Sequence, residues 1–581
     1  MKNEPVAATD RGYAPALGNR QVQMIAIGGA IGVGLFLGSG GRFQQAGPGL
    51  VLAYAIAGFA AFCVMRALGE LVLHRPTSGS FVEYAYEFIG PWAGFAAGWM
   101  YWVNWAFTGV AELTAIGIYV HKWLPDLPQW ITALVALVAV LAVNLLSVRL
   151  FGELEFWFSV LKVTVIVLFL VTAVFLVVTT AKVDGGSAGV SNLTSHDGFF
   201  PLGLAPVLMS LQAVVFAYSA IEMVGIAAGE TKDPRKVLPR AINGVIWRIA
   251  VFYVGSILLL AMVLPWTLYG EAESPFVTVF SRLGVPHAGD VMNLVVITAA
   301  ASSCNSGLYS TGRILRAMAL RGEAPRLTSR VGSRHVPYGG ILLTACVYVG
   351  GVVLYYLVGP DTFHIATAVA SLGVLSTWGT LVFCQMRLRK AALRGQLQRP
   401  SFRLPGAPVT AWLTLGFLLL VLVLMAFADL PQRIAFWSLP GLALVIAIGW
   451  RVVSARRATA EAAGSSGRPG RPGRARRPAR PARRHGPGRR QPRQAPRGRR
   501  PGLTRHAGPA DPVRLAPPPA PARHGRGAAR ARRADRTPVP GRAGRTPGRG
   551  NADGTRTGRG RGAGGAVRRR GRTRRGRGRP R

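Results

Sequence analysis

Apolar runs long enough to cross a bilayer as a helix, roughly 20 residues each, recur twelve times in the first 453 positions. They fall at 22–41, 48–72, 92–120, 130–148, 156–178, 203–227, 243–264, 288–312, 337–358, 363–386, 409–429 and 433–453. The breaks between them carry proline, glycine and charge, as at Leu124-Pro-Asp-Leu-Pro128 and Thr231-Lys-Asp-Pro234, residues that end helices and turn chains. The pattern predicts an all-α integral membrane body over 22–453, preceded by a short polar segment, 1–21. Length alone would allow a soluble multidomain enzyme; so much continuous apolar sequence excludes it.

Lysine and arginine bias then sets an expected orientation, because short cytoplasmic loops accumulate them. With the N-terminus inside, 25 basic residues fall on the cytoplasmic side and five on the outer side: Arg42, Lys122, Lys182, Arg282 and Arg433. Both termini are therefore expected in the cytoplasm. Lys162 and Arg248 remain, inside predicted spans.

Composition changes the picture at one place. The mean hydropathy is +0.30, yet the net charge is +45, and the two coexist because they belong to different regions. From Gly464 onward there are 37 arginines, no lysine and three aspartates, a net of +34. This stretch has no Phe, Trp, Tyr, Ile, Met or Cys, so it has almost nothing to bury. The tail, 454–581, is expected to be disordered. Four cysteines, Cys63, Cys304, Cys346 and Cys384, sit singly in apolar runs, which suggests neither a zinc site nor a disulfide framework. The first twenty residues lack the apolar core and cleavage site of a signal peptide.

The candidate chemistry lies inside the spans. Gly28-Gly-Ala-Ile-Gly-Val-Gly34 puts four glycines within seven residues of the first span, and glycine weakens a helix by about 1 kcal/mol relative to alanine. An unwound stretch there would offer free N–H groups to a carboxylate and free carbonyls to a cation, a match for a zwitterion; close helix packing is the other use of such glycines. The sixth span holds a second candidate break, Phe216-Ala-Tyr-Ser-Ala-Ile-Glu222. Its intramembrane carboxylate is costly, roughly 2.5–3.5 kcal/mol, and so marks a functional candidate. Glu222 is suited to receive an amino group, carry a proton or hold unwound backbone. Lys162 lies some seven residues inside the fifth span. It is read either as a proton carrier or as a snorkelling or paired lysine held by Glu153 or Glu155. Glu112 in the third span is a further intramembrane acid, and Ser302, Ser303 and Asn305 in the eighth offer polar groups to the first span or glue between helices. No HExxH, GxSxG or Walker motif occurs. No enzyme activity, cofactor or metal is expected, and uphill movement would draw on an ion gradient.

Several stretches resemble a known family. Arg20 to Gly40, Gly69-Glu-Leu with Pro76-Thr-Ser-Gly-Ser-Phe81, Ile221-Glu-Met with Ala228-Gly-Glu-Thr231, and Leu238-Pro-Arg-Ala-Ile-Asn243 are similar to bacterial amino-acid permeases of the amino acid–polyamine–organocation superfamily. Within it, Glu155-Phe-Trp-Phe158, Ser274-Pro-Phe-Val-Thr278, Asn305-Ser-Gly-Leu-Tyr309 and Phe402-Arg-Leu-Pro-Gly-Ala-Pro408 resemble the branch that imports L-asparagine. The likeness spans roughly 11–457. It implies twelve helices in two five-helix inverted repeats plus two, with the first and sixth discontinuous. Substrate is then expected at Ile31, Gly32, Val33 and Gly34 and at Phe216, Ala217, Tyr218, Ser219 and Ala220. Proton coupling is expected at Lys162, where related transporters use a fifth-helix lysine in place of sodium, with Glu112 and Glu222 as acids. Val33 departs mildly from relatives that carry threonine there.

The expected activity is import of an amino acid, L-asparagine foremost, by proton symport in the cell membrane, with membrane lipid around the protein. Another neutral amino acid, such as GABA, proline or glycine with D-alanine and D-serine, is the alternative cargo. A third possibility is a transporter-like sensor whose tail binds nucleic acid or anionic lipid. The tail resembles nothing in the family, and nucleic acid is not an expected partner. Arginine, proline, glycine and alanine share GC-rich codons, so GC-rich DNA read out of frame yields such a mixture; an abrupt onset without lysine favours that origin.

Overall fold

The computed structural model describes residues 31–466 apart from 78, 147, 185, 224, 226–233 and 333–335. The chain divides into two units, Met1–Arg474 and Ala475–Arg581, and all described residues belong to the first. Gly28 to Ala30 and the tail beyond Ser466 lie outside them.

The described chain is helical, with one two-residue hairpin pairing β1 (Lys182–Val183) with β2 (Gly186–Ser187). In order, the helices are α1 (Val33–Phe36), α2 (Gly38–Ala46), α3 (Leu50–His74), α4 (Ser80–Phe88), α5 (Pro91–His121), α6 (Gln129–Leu146), α7 (Val148–Val178), α8 (Leu204–Met209), α9 (Leu211–Ala217), α10 (Pro234–Arg248), α11 (Ser256–Val263), α12 (Pro275–Ser281), α13 (Ala288–Leu320), α14 (Tyr338–Val358), α15 (Asp361–Leu393), α16 (Val409–Met425) and α17 (Leu430–Ser466). A π-helical stretch, Ile249–Gly255, joins α10 to α11. Among the described residues nine helical segments are long and apolar enough to cross a membrane, and Leu204–Ala217 and Val409–Met425 are shorter apolar segments.

Burial separates an inner set from a peripheral one. The apolar window of α5 is 83% buried within the protein, whereas that of Leu430–Thr459 is 6% buried. Helices α5, α13 and α15 form the centre. Small residues let their backbones meet: a Cβ on Gly373 of α15 would stand 2.8 Å from both the Asn104 Cα and the Met100 carbonyl oxygen of α5, the kind of approach that packs helices where lipid supplies no hydrophobic drive. Pro91 opens α5 behind Gly90, and Gly359, at φ 65°, closes α14.

One boundary differs in a way that matters. The fifth span was expected to start near 156, but α7 already begins at Val148. Glu153 and Glu155 read as loop residues because of their charge, yet Glu155 is fully buried and hydrogen-bonded, which removes the cost of placing it in a helix. Within the apolar segment Leu150–Val178, Lys162 thus lies twelve residues from one end, about 18 Å at 1.5 Å per residue. That is beyond a lysine's snorkelling reach.

Candidate functional site

Two breaks meet at the centre. Gly32 is extended (φ −130°, ψ −164°) and α1 starts at Val33. The Gly32 carbonyl accepts from Leu35 N at 3.3 Å, and Leu37 interrupts the helix before α2. On the other side α9 ends at Ala217, and Tyr218 to Glu222 form turns. Ala220 adopts φ 69°, a left-handed conformation uncommon for a residue with a Cβ. The breaks touch through bare backbone, since a Cβ on Gly34 would lie 2.7 Å from the Ala217 Cα and 3.1 Å from Phe216 Cδ1. Ile31, Val33, Phe216, Ala217 and Ala220 are buried, while Ser219 is partly exposed. Tyr218 points elsewhere: its hydroxyl donates to the Tyr54 carbonyl at 2.9 Å and its ring stacks on Tyr253 with centroids 4.6 Å apart. It braces the turn against α3 rather than lining a pocket.

A charged cluster stands against the first break. A Cβ on Gly32 would meet Glu112 Oε1 at 2.7 Å and Ser303 Oγ at 3.4 Å. The Glu112 carboxylate, 2% exposed, has Ser303, the Val33 N–H and Lys162 as neighbours. Lys162 is fully buried, and its two charged neighbours are Glu155 and Glu112. Glu155 accepts hydrogen bonds from Ser302 Oγ at 2.7 and 2.8 Å. Asn305 completes the far wall, accepting from Asn144 Nδ2 at 2.6 Å. Two carboxylates around one lysine, each with hydroxyl donors, form an arrangement that can hold a charge, or exchange a proton, away from water.

Glu222 is not part of this cluster. It is buried, and neither of its carboxylate oxygens has a hydrogen bond among the described residues. Trp378 and Tyr101 face it, and their polar atoms likewise lack partners there. Tyr101 and Glu112 lie eleven residues apart on α5, about 16 Å along a helix. The three residues expected to share proton coupling therefore divide into a pair and an outlier. Glu155, which entered the sequence reading only as a partner for Lys162, is instead a full member of the cluster. Its signal was available: a spacing of seven residues places Glu155 and Lys162 on one helical face.

On the side of the breaks away from Glu222, a small cavity reaches Phe216 and is bordered by Arg42, Gln45, Glu271 and His364. No group of three or more His, Cys, Asp or Glu suited to a metal occurs among the described residues.

Membrane-length helices packed around a buried charged centre with interrupted helices define a multi-pass membrane protein. The family model for amino acid permeases matches residues 21–459, and the chain belongs to that family. It is 54% identical over 457 residues to an L-asparagine permease of Salmonella typhimurium, covering 78% of this chain and 91% of the relative. An L-asparagine permease of Escherichia coli is 55% identical over 446 residues, covering 76% and 89%. One of Streptomyces coelicolor is 54% identical over 462 residues, covering 79% and 94%.

Proposed function

We propose that the protein imports an amino acid, L-asparagine foremost, together with protons, by alternating access around the two breaks. The observation that carries this is the direct backbone contact of Gly34 with Ala217, one turn from the Glu112–Lys162–Glu155 cluster. Residues 31–34 and 216–220 would offer backbone donors and acceptors to a carboxylate and an ammonium as the breaks part, and the cluster supplies a proton site beside them. The names of the relatives favour L-asparagine as cargo. The full architecture is twelve spans arranged as two inverted five-helix repeats plus two, over 22–453. The end rich in basic loops faces the cytoplasm, in keeping with the loop charge. Glu222, far from the lysine, serves a separate step or holds the sixth-helix turn.

Radiolabelled L-asparagine uptake into proteoliposomes, with and without an inward proton gradient, tests this. Accumulation is expected that collapses with a protonophore and is competed best by asparagine. Better competition by another amino acid would change the cargo and keep the mechanism. Lys162→Gln is expected to abolish gradient-driven accumulation while counterflow exchange persists; full pH-dependent accumulation in that variant would remove Lys162 from the mechanism. For Gly464–Arg581 we favour an out-of-frame origin near codon 464. Independent DNA reads showing an intact frame there would refute it, and loss of uptake on deleting Gly464–Arg581 would point to a working tail.

A further inference from the structure

Glu222 and the lysine cluster, which the fold holds apart, are bridged by a file of hydroxyls. Ser302, Ser306 and Ser310 follow one another at four-residue intervals on α13, a spacing that stacks them on one helical face about 6 Å apart along the axis. All three are buried. The first donates to both oxygens of Glu155, at 2.7 and 2.8 Å. Ser306 neighbours the same carboxylate, yet its Oγ has no hydrogen bond among the described residues. Helix α5 runs antiparallel beside this face. Glu112 stands level with Ser303, and Trp105 with Gly307, where a Cβ would lie 2.8 Å from Cε3 of the indole. Further along, Tyr101 neighbours Ser310, and its hydroxyl also faces Glu222. The Tyr101 hydroxyl and both Glu222 oxygens are buried and lack hydrogen bonds among the described residues.

We propose that this seam is a proton route, in which Ser306, Ser310 and Tyr101, bridged by buried water, carry the proton of Lys162 to Glu222. The proposal rests on proton symport with Lys162 as the carrier. An unpaired buried polar atom costs roughly 1–3 kcal/mol, so four of them along one seam call for a shared explanation. The rise of about 6 Å between successive serines equals two hydrogen bonds of about 2.8 Å, the span of one bridging water. Each hydroxyl accepts a proton on its oxygen while releasing its own hydrogen onward. One proton thus leaves the Lys162 ammonium by way of Glu155 and ends on the Glu222 carboxylate. The lysine becomes an amine and the glutamate an acid, the hydroxyls are regenerated in turn, and no electrons are exchanged. Both ends finish neutral, which suits an interior where separated charges are costly. From Ser302 to Ser310 the seam runs toward Leu320, the end of α13 that leads into the basic loop.

The test uses the full chain in proteoliposomes and compares two readouts. One is proton-driven L-asparagine accumulation, with luminal acidification followed by an entrapped pH dye; the other is asparagine counterflow exchange. Tyr101→Phe and Ser306→Ala are expected to slow driven uptake and acidification about tenfold or more, with exchange held within about twofold. Ser306→Thr, which keeps a hydroxyl at that position, is expected to restore the driven rate. Driven uptake at the parent rate in both Tyr101→Phe and Ser306→Ala overturns the route. So does an equal loss of exchange, which would make these residues structural. Should either variant not fold, Ser310→Ala against Ser310→Thr gives the same comparison: a driven rate lost in the first and kept in the second supports the route, and equal rates overturn it. A parent protein that accumulates asparagine without acidifying the lumen would instead overturn proton symport. A coupled parent whose Lys162→Gln variant is uncoupled, while the seam variants run normally, overturns the seam alone.

Discussion

The two ends of the helical body are built on opposite principles. At the end that carries the basic loops, buried carboxylates are saturated by partners from distant parts of the chain. Glu70, fully buried at the end of α3, accepts from Arg399 Nε at 2.5 Å and Nη2 at 3.2 Å, from Gln385 Nε2 at 2.9 Å and from Leu404 N at 3.0 Å. Arg66 lies over the Phe402 ring at 3.6 Å and donates to the Arg403 carbonyl. Glu323, also buried, accepts from Tyr86 and, at 2.5 Å, from Arg457 of α17, while Arg321 pairs with Glu83 of α4. At the opposite end Arg42 has amides and the exposed Asp429 for partners and a small cavity beside it. One end is latched, and the other keeps a small cavity beside Phe216. In a transporter that alternates access, such asymmetry corresponds to one gate held shut by buried ion pairs and a second that is more loosely held.

Breaking the latch should have the largest effect. Glu70→Ala strips four donors of their acceptor and leaves Arg399 beside a buried void, a loss of roughly 3–5 kcal/mol. Thermal unfolding in detergent should show it as a clear drop, with uptake lost. Unchanged stability and uptake would mean that the pairing is incidental. Arg457→Ala should cost less, roughly 1–3 kcal/mol, because Glu323 keeps Tyr86 as a donor. The same two measurements should move in parallel, and a rate change without a stability change would assign Arg457 to the gating step alone. Tyr86→Phe should matter least, roughly 0.5–1.5 kcal/mol. Its pH dependence sharpens the comparison. Burial first, then the bond to Glu323, push the Tyr86 phenol above its ordinary value. A group raised on folding stabilises fully below its unfolded pKa, about 10 for tyrosine, and the benefit fades only above that. The stability difference between parent and Tyr86→Phe should therefore stay flat from about pH 6 to 9 and shrink only in stronger alkali. A difference that fell away near neutrality would contradict the hydrogen bond.

The spans were readable because uninterrupted apolar residues leave few other fates. The run 92–120 appears as α5, Pro91–His121, almost without adjustment. Where a span contains charge, legibility failed: Glu155 hid the start of α7 and made Lys162 look shallower than it is. The site was half legible. Glycines at 32 and 34 pointed to the break, and Glu112 and Ser303 do lie against it. That Glu222 stands apart from Lys162, and that Tyr218 braces the turn, depends on which helix faces which, information that spacing along one chain does not contain. The latch was invisible for the same reason. Glu70 and Arg399 are separated by 329 positions, and each alone is an ordinary charged residue near a helix end.

Helix α17 sets Arg457, near the end of its membrane-length segment Leu430–Thr459, on the buried Glu323. Composition changes only at Gly464, seven residues later. Those seven residues are the margin within which an error of translation or of gene replication is harmless or damaging. A chain altered anywhere beyond Arg457 keeps the last bolt of its closed end. One altered just before it loses a donor to Glu323 although all but the last turn of the final membrane-length helix is in place, so tolerance to mutation should fall off as a step rather than a slope.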